Sequence, residues 1–236
     1  MELIGDLAEE ALAGLLPDRP LRSYPALLSA EADALAWARA GAPEGALVVA
    51  DYQASPRGRA GLPWEVPPGR ALSFSLVLRP PLSAEREGWL YTVATTALAD
   101  VLGEGASIEW PDEVRLEGRR AAAVGVQTEI GGERLAWAVV SVLVCRADPP
   151  RGPLLAQVVE ALEHRYRSPA ASVLADYAPR CETLGRQVNA RMIPLGPAGP
   201  QVTGLAVRPL PDGALSIEAA PGRRVAVRPQ SLGVLE

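Results

Sequence analysis

Two periodicities alternate through the first three quarters of the chain, and a third texture takes over beyond residue 181. The runs 46–50 and 71–78 are short, apolar and rich in valine or leucine, as buried strands are. Residues 29–40 and 83–102 place apolar side chains at helical spacing. Each begins on a serine able to cap a helix, and Gly41 and Pro43 close the first. A short helix is predicted over 7–16, stopped by Pro17. Residues 108–114, 121–126 and 134–145 predict three strands joined at Glu117-Gly118 and Gly131-Gly132, an antiparallel meander. The proline-rich break 149–153 leads into an amphipathic helix over 154–166 and a shorter one around 171–177. From 182 onward short apolar runs are cut by turns such as Pro211-Asp212-Gly213 and Pro221-Gly222, a pattern that predicts a small β-barrel or sandwich. The expected architecture is α+β, a mixed or antiparallel sheet with helices over 1–180 and a small β domain over 181–236.

Composition narrows the chemistry more than the fold. All 23 basic residues are arginine, with no lysine among the 236 residues. A lysine-bearing phosphate loop, a lysine Schiff base and a lysine general base are therefore excluded. A single histidine, His164, excludes sites built from several histidines, and its place near a helix end suits the helix dipole. No metal site is expected. The net charge is −5 with the positive groups dispersed, so neither nucleic acid nor an anionic membrane is the expected partner. The acidic start lacks the features of a signal peptide, no run reaches transmembrane length, and a cytoplasmic protein is expected. Cys145 and Cys181 are expected as reduced thiols, Cys145 in the core.

The stretch 51–80 carries the candidate chemistry. Arg57-Gly58-Arg59 lies in a long glycine- and proline-rich loop between two predicted strands. Glycine permits close backbone approach, and the two guanidinium groups offer forked donors to a carboxylate or phosphate. A solvated arginine turn is the plainer alternative.

In its wider setting this stretch resembles the signature loop of the biotin protein ligases, a family related to the lipoate protein ligases. Gln53, Arg57, Gly58, Arg59, Gly61, Trp64, Pro67, Gly69, Ser75, Leu78, Arg79 and Pro80 follow that pattern without gaps. A second resemblance is Trp110-Pro111 with Gly118, where family members carry lysine-tryptophan-proline-asparagine-aspartate and then a lysine beyond a glycine turn. Here Glu109 replaces the first lysine and Asp112 the asparagine, and the second lysine becomes Arg120 or, in a shifted register, Ala122. Ser29 matches the first residue of the family's serine-threonine-asparagine segment, which helps hold the biotin ring, while Ala30 and Glu31 depart from it. Ser29 is equally explained as a helix cap. The family's glycine-rich strand ending in asparagine is replaced by the apolar stretch through Ser141 to Cys145. Leu184-Gly185-Arg186-Gln187-Val188 resembles the opening of the family's SH3-like C-terminal domain.

The resemblance implies binding of a small carboxylic acid of the biotin or lipoate type. Ser29, Gln53, Arg57, Gly58, Arg59 and Trp110 would contact the ligand, and Arg120 would stand in for the catalytic lysine. If the chain is active, ATP and Mg²⁺ would serve acid adenylation, followed by transfer to a lysine of a carrier domain. The lost lysines favour a divergent site that binds the acid or its acyl-adenylate with weakened or lost catalysis. The alternatives are an active biotin, lipoate or octanoate ligase, and a non-catalytic partner of a carrier protein. A homodimer is left open.

Overall fold

The apolar runs of the sequence assemble into two sheets in the computed structural model, which describes residues 5–65, 67–148, 150–196 and 198–236. After a one-turn helix α1 (Glu9–Ala13) come strand β1 (Leu21–Leu27), helix α2 (Ala30–Arg39), and strands β2 (Leu47–Gln53) and β3 (Leu72–Leu78). Helix α3 (Trp89–Leu102) follows, then β4 (Ser107–Glu109), β5 (Glu113–Leu116), β6 (Arg119–Gly131) and β7 (Arg134–Val144). These strands form a seven-stranded sheet in the order β1-β2-β3-β7-β6-β5-β4, with β1 parallel to β2 and the other pairs antiparallel. Helices α4 (Gly152–Arg167) and α5 (Ala170–Tyr177) precede a second sheet of β8 (Gln187–Met192), β9 (Gln201–Pro209), β10 (Leu215–Ala220), β11 (Arg223–Val227) and β12 (Leu232–Leu235). Its order is β11-β10-β9-β8-β12, all antiparallel. The α+β expectation holds.

Alternation along β3 divides the core. Leu72, Phe74, Leu76 and Leu78 join Val140, Val142 and Val144 of β7 on one face, where α3 and α4 supply Leu90, Ala94, Leu98, Leu155, Val158 and Leu162. Val48, Val77 and Val139 on the other face meet Ala30, Ala34 and Ala38 of α2, whose small side chains let the helix lie close to the sheet. The second sheet contributes Val188, Ala190, Ala206, Leu215, Ile217 and Leu232 to the first of these clusters. The two sheets therefore share one apolar core.

Three elements differ from the sequence expectation, the first being the single strand expected over 108–114, which is two short strands, β4 and β5, paired antiparallel with each other. Strand β1 was not predicted, because LRSYPAL contains Pro25; it is an edge strand, where the missing N–H of proline is tolerated. Helix α3 begins at Trp89, since residues 84–86 form a separate 3₁₀ turn. Gly88 is pressed against the second sheet's 212–213 turn: a Cβ there would lie 2.8 Å from the Asp212 carbonyl oxygen.

Candidate functional site

The signature stretch is anchored at its base by a buried ion cluster. Arg151, 2% exposed at the start of α4, donates to Asp51 at the end of β2, to Asp6 (2.7 Å) and to the Ala71 carbonyl (3.2 Å). Asp51 also accepts from the Gly69 backbone N–H at 3.2 Å, so one carboxylate meets both limbs of the loop. Within the loop, Gly58 N–H donates to Leu62 O (2.8 Å) and Trp64 N–H to Pro56 O (3.0 Å). The glycine is demanded by space rather than by backbone angles. A Cβ on Gly58 would lie 2.3 Å from the Trp64 indole nitrogen, and a Cβ on Gly125 of β6 would lie 3.3 Å from Gly58 Cα. The loop thus rests directly on β6, with Trp64 packed on Ala71, Ala123 and Leu143.

The three arginines of interest sit in different electrostatic surroundings. Arg57 is exposed and donates to Gly61 O at 2.9 Å, and among the described residues no carboxylate lies within salt-bridge distance of it. Arg59 is buried, 7% exposed; its Nε meets Asp112 at 2.9 Å and its Nη1 donates to the Leu232 carbonyl at 2.5 Å. Burial pushes the Asp112 carboxyl up from the usual aspartate value, against the opposing pull of the Arg59 charge. Arg120 is half-exposed and paired with Glu113, whose hydrogen bond raises the guanidinium further. Trp110 is 2% exposed and turned into the junction between the sheets, with Nε1 donating to Gly213 O at 3.0 Å and its backbone N–H to Thr183 Oγ1 at 2.9 Å. Glu109 pairs with Arg115.

Between the α2 cluster and the Trp64 cluster runs a row of buried polar groups. Ser73 (3% exposed), Ser75 (1%) and Ser141 (3%) occupy the face of the sheet whose neighbouring positions are valine and alanine. Ser75 and Ser141 are register partners with hydroxyls 2.8 Å apart, and Ser141 is in turn paired with Gly125 under the loop. Gln53, 5% exposed, joins this row to the helix: its Nε2 donates to Ser73 Oγ at 2.9 Å and its Oε1 accepts from Ala30 N–H at 2.8 Å. Ser29 caps α2, its hydroxyl accepting from Ala32 N–H at 3.3 Å. Glu31, in the first turn of the same helix, has one carboxylate oxygen buried and without a hydrogen-bond partner. Burial raises its carboxyl above the usual value, opposed by the Ser141 hydroxyl and the Arg57 charge.

Ser73 escaped the sequence reading, and the joint role of Ser75, Ser141 and Glu31 did also. A signal existed in the serines at alternate positions of LSFSLVL, which put polar groups on one face of a fully buried strand. Beyond the loop, a cavity of about 530 Å³ is lined by Arg119, Arg120, Arg146, Cys145, Leu102 and Val144. Cys145, expected in the core, is half-buried and lines this cavity, and burial lifts its thiol above the usual value. Among the described residues, no group of three or more histidine, cysteine or acidic side chains is placed to hold a metal ion, and no helix is long and apolar enough to cross a membrane.

No family model matches the chain. It is 35% identical over 96 residues to the bifunctional ligase/repressor BirA of Bacillus subtilis, a match spanning 39% of this chain and only 29% of that relative. It is 27% identical over 226 residues to the biotin acetyl-CoA-carboxylase ligase of Mycobacterium tuberculosis, covering 84% of this chain and 83% of that one. Among solved structures, the biotin protein ligase from Aquifex aeolicus in complex with biotin and ATP superposes with a TM-score of 0.68 at 19% identity, over 92% of this chain and 98% of that one. A biotin protein ligase-like protein of unknown function from a Silicibacter species gives 0.67 at 12% identity, over 91% and 96%. With its sequence aligned along most of its length to one biotin ligase at 27% identity and its fold shared almost end to end, the chain has the fold of the biotin protein ligases and is similar to them in sequence.

Proposed function

We propose that the chain binds a small carboxylic acid, or its acyl-adenylate, on the polar row of β3 and β7 beneath the arginine loop, and that its adenylation chemistry is weakened or lost. The observation that carries this reading is the unequal state of the arginines. Of Arg57, Arg59 and Arg120, only Arg57 has no carboxylate partner among the described residues, while Asp112 holds Arg59 and Glu113 holds Arg120. Arg57 would meet the acid's carboxylate or acyl-phosphate, with Gly58 giving close backbone approach and Gln53 and Ser29 fixing the helix end that borders the row. Trp110 and Arg59 would act by holding the second sheet against the site.

Acid adenylation needs positive charge on the phosphates and a fixed in-line geometry rather than a protein nucleophile. Without lysine, that charge would have to come from Arg119, Arg120 and Arg146 around the 530 Å³ cavity, a set that suits a nucleotide's phosphates. For Mg²⁺ the fit is poor, because Asp112 and Glu113 are engaged with arginines. Bound ATP would supply the activating phosphate; this chain's residues would orient the acid and shield it from water. The alternative reading, an active ligase passing the acid to a carrier-domain lysine, is favoured by the alignment to the Mycobacterium tuberculosis ligase over 84% of the chain.

Calorimetric titration with biotin, lipoate and octanoate, with and without magnesium ATP, and with a stable acyl-adenylate analogue, separates these readings. Binding of an acid or the analogue that falls at least about tenfold in Arg57→Ala, one charge-assisted contact being removed, is the expected result. Affinity unchanged in that variant for every ligand overturns the site assignment. ATP-dependent acid binding followed by transfer to a carrier domain would establish the active ligase instead.

A further inference from the structure

Arg151 divides its guanidinium between two carboxylates. Nε and Nη2 grip Asp6 at 2.9 and 2.7 Å, and the Arg151 backbone N–H reaches the same carboxylate at 2.6 Å. Nη1 donates to Asp51 and, at 3.2 Å, to the Ala71 carbonyl. Asp51 stands two residues before the end of β2, where the chain enters the arginine loop; Gly69, which also donates to Asp51, and Ala71 stand where it leaves, just ahead of β3. One guanidinium therefore fixes both ends of the loop. The cluster is poorly arranged for stability alone. It sets two carboxylates against one cation, and the second Asp51 oxygen is buried without a hydrogen-bond partner among the described residues. Well-packed neutral side chains often do as well at such a junction, but they would not hold β2, Gly69 and Ala71 from a single point. Asp6 belongs to an N-terminal segment whose Leu7 and Leu12 are buried in the main core, and its carbonyl lies so close to α4 that a Cβ on Gly152 would come within 3.1 Å of it.

We propose that Arg151 is a positioning residue: acting through Asp51 and Ala71, it keeps Gly58 seated on Gly125 and Arg57 turned to the acid, and Asp6 couples the N-terminal segment to that geometry. The consequence for binding rests on the acid-binding reading above, whereas the hold on the loop does not. The coupling runs through packed neighbours. Arg151 holds Ala71, Trp64 packs on Ala71, and Gly58 packs on Trp64 so tightly that a Cβ would lie 2.3 Å from the indole nitrogen. The loop's own hydrogen bonds, Gly58 N–H to Leu62 O and Trp64 N–H to Pro56 O, close turns within it and do not tie it to the sheet. A shift at its ends is therefore passed to Gly58 and to Arg57 beside it. An ammonium could not replace the guanidinium here, because it lacks the planar fork that meets Asp6 with two donors while others in the same plane reach Asp51 and Ala71.

The test is amide hydrogen exchange on the full chain, native and as Arg151→Lys, Asp6→Asn and Leu12→Ala. Lysine keeps the charge without the fork, asparagine keeps the shape without the charge, and Leu12→Ala weakens the same N-terminal segment through the core alone. Amides that exchange by local opening do not follow global stability, so Gly58, Trp64 and Gly69 separate positioning from stabilisation. Their exchange is expected to rise at least about tenfold in Arg151→Lys and Asp6→Asn and to stay at the native rate in Leu12→Ala, where β7 amides exchange faster instead. Affinity for biotin and a stable biotinyl-adenylate analogue is expected to fall at least about tenfold in the first two variants and to hold in the third. Loop amides at the native rate in both ion-cluster variants, or accelerated equally in Leu12→Ala, overturn the proposal. So does faster loop exchange with affinity for both probes unchanged. If the native protein binds neither probe, the acid-binding reading falls and the exchange rates alone decide the role of Arg151.

Discussion

Replacing Glu31 by glutamine should stabilise the ligand-free protein at neutral pH, a direction opposite to that of most substitutions at partly buried positions. One Glu31 oxygen is buried without a partner, and burial is the largest influence on its carboxyl, raising it above its ordinary value of 4.5. A buried unsatisfied polar group costs on the order of 1–3 kcal/mol; with the side chain still partly exposed, about 1 kcal/mol is appropriate here. For a chain of this size that is a rise in Tm of about 2–4 °C. The sign follows from proton linkage. A raised carboxyl binds its proton more tightly in the folded than in the unfolded state, so its favourable contribution is complete below the ordinary value and is lost as pH rises through the folded value. Glutamine carries no such dependence. The two proteins should therefore melt together below about pH 4 and diverge above it, the variant becoming the more stable. Differential scanning calorimetry from pH 4 to pH 8 measures this. A variant less stable at pH 7.5, or a difference that does not change with pH, would refute the reasoning.

Arg59→Ala leaves the Asp112 carboxylate buried without its partner and removes the donor to Leu232 O, so a loss of about 3 kcal/mol is expected, measured by urea unfolding. The double variant with Asp112→Asn should recover part of that loss, and strict additivity would show the pair to be uncoupled. Gly58→Ala forces a methyl into the Trp64 indole and should cost about 1–3 kcal/mol, visible as a shifted tryptophan fluorescence maximum as well as a lower midpoint. Arg120→Ala, in contrast, removes a half-exposed pair and should change stability by less than about 1 kcal/mol, while chemical denaturation of Arg151→Met should show a loss of several kcal/mol because Asp6 and Asp51 lose their shared partner.

Periodicity revealed what periodicity governs. The apolar runs at 46–50, 71–78 and 134–145 are all strands, and the amphipathic stretch 154–166 lies within α4, because each buries a face whose spacing is written locally. Strand β1 was hidden because a proline in an edge strand looks like a loop until its neighbour is known. The arginine loop was legible from its glycine- and proline-rich setting and its resemblance to the biotin protein ligase signature, whereas the close fit of Gly58 between Trp64 and Gly125 of β6 is a tertiary contact that only the structure shows. What each arginine does was not legible. Arg59 is 53 residues from Asp112, which lies between β4 and β5 of the first sheet, and 173 from Leu232 in the second, so both contacts are set by tertiary packing. The serine row was half visible in the alternation of LSFSLVL, but its meaning depends on β7 placing Ser141 opposite Ser75.

The placement of Arg59 binds the candidate site to the second sheet in a way that has an energetic consequence. Its guanidinium joins the loop to Asp112 on one side and to the carbonyl of Leu232 in β12 on the other. A ligand that recruited Arg59 to an acyl-phosphate would have to compete with both, leaving a largely buried carboxylate and a carbonyl to find other partners. By linkage, whatever such a ligand loses in affinity through those broken contacts is the amount by which its binding would loosen the second sheet. A ligand that engages Arg57 alone carries no such penalty, since that side chain gives up only one exposed hydrogen bond to Gly61. Protection of β12 amides from hydrogen exchange distinguishes the two cases: unchanged protection on saturation marks use of Arg57, and lowered protection marks capture of Arg59.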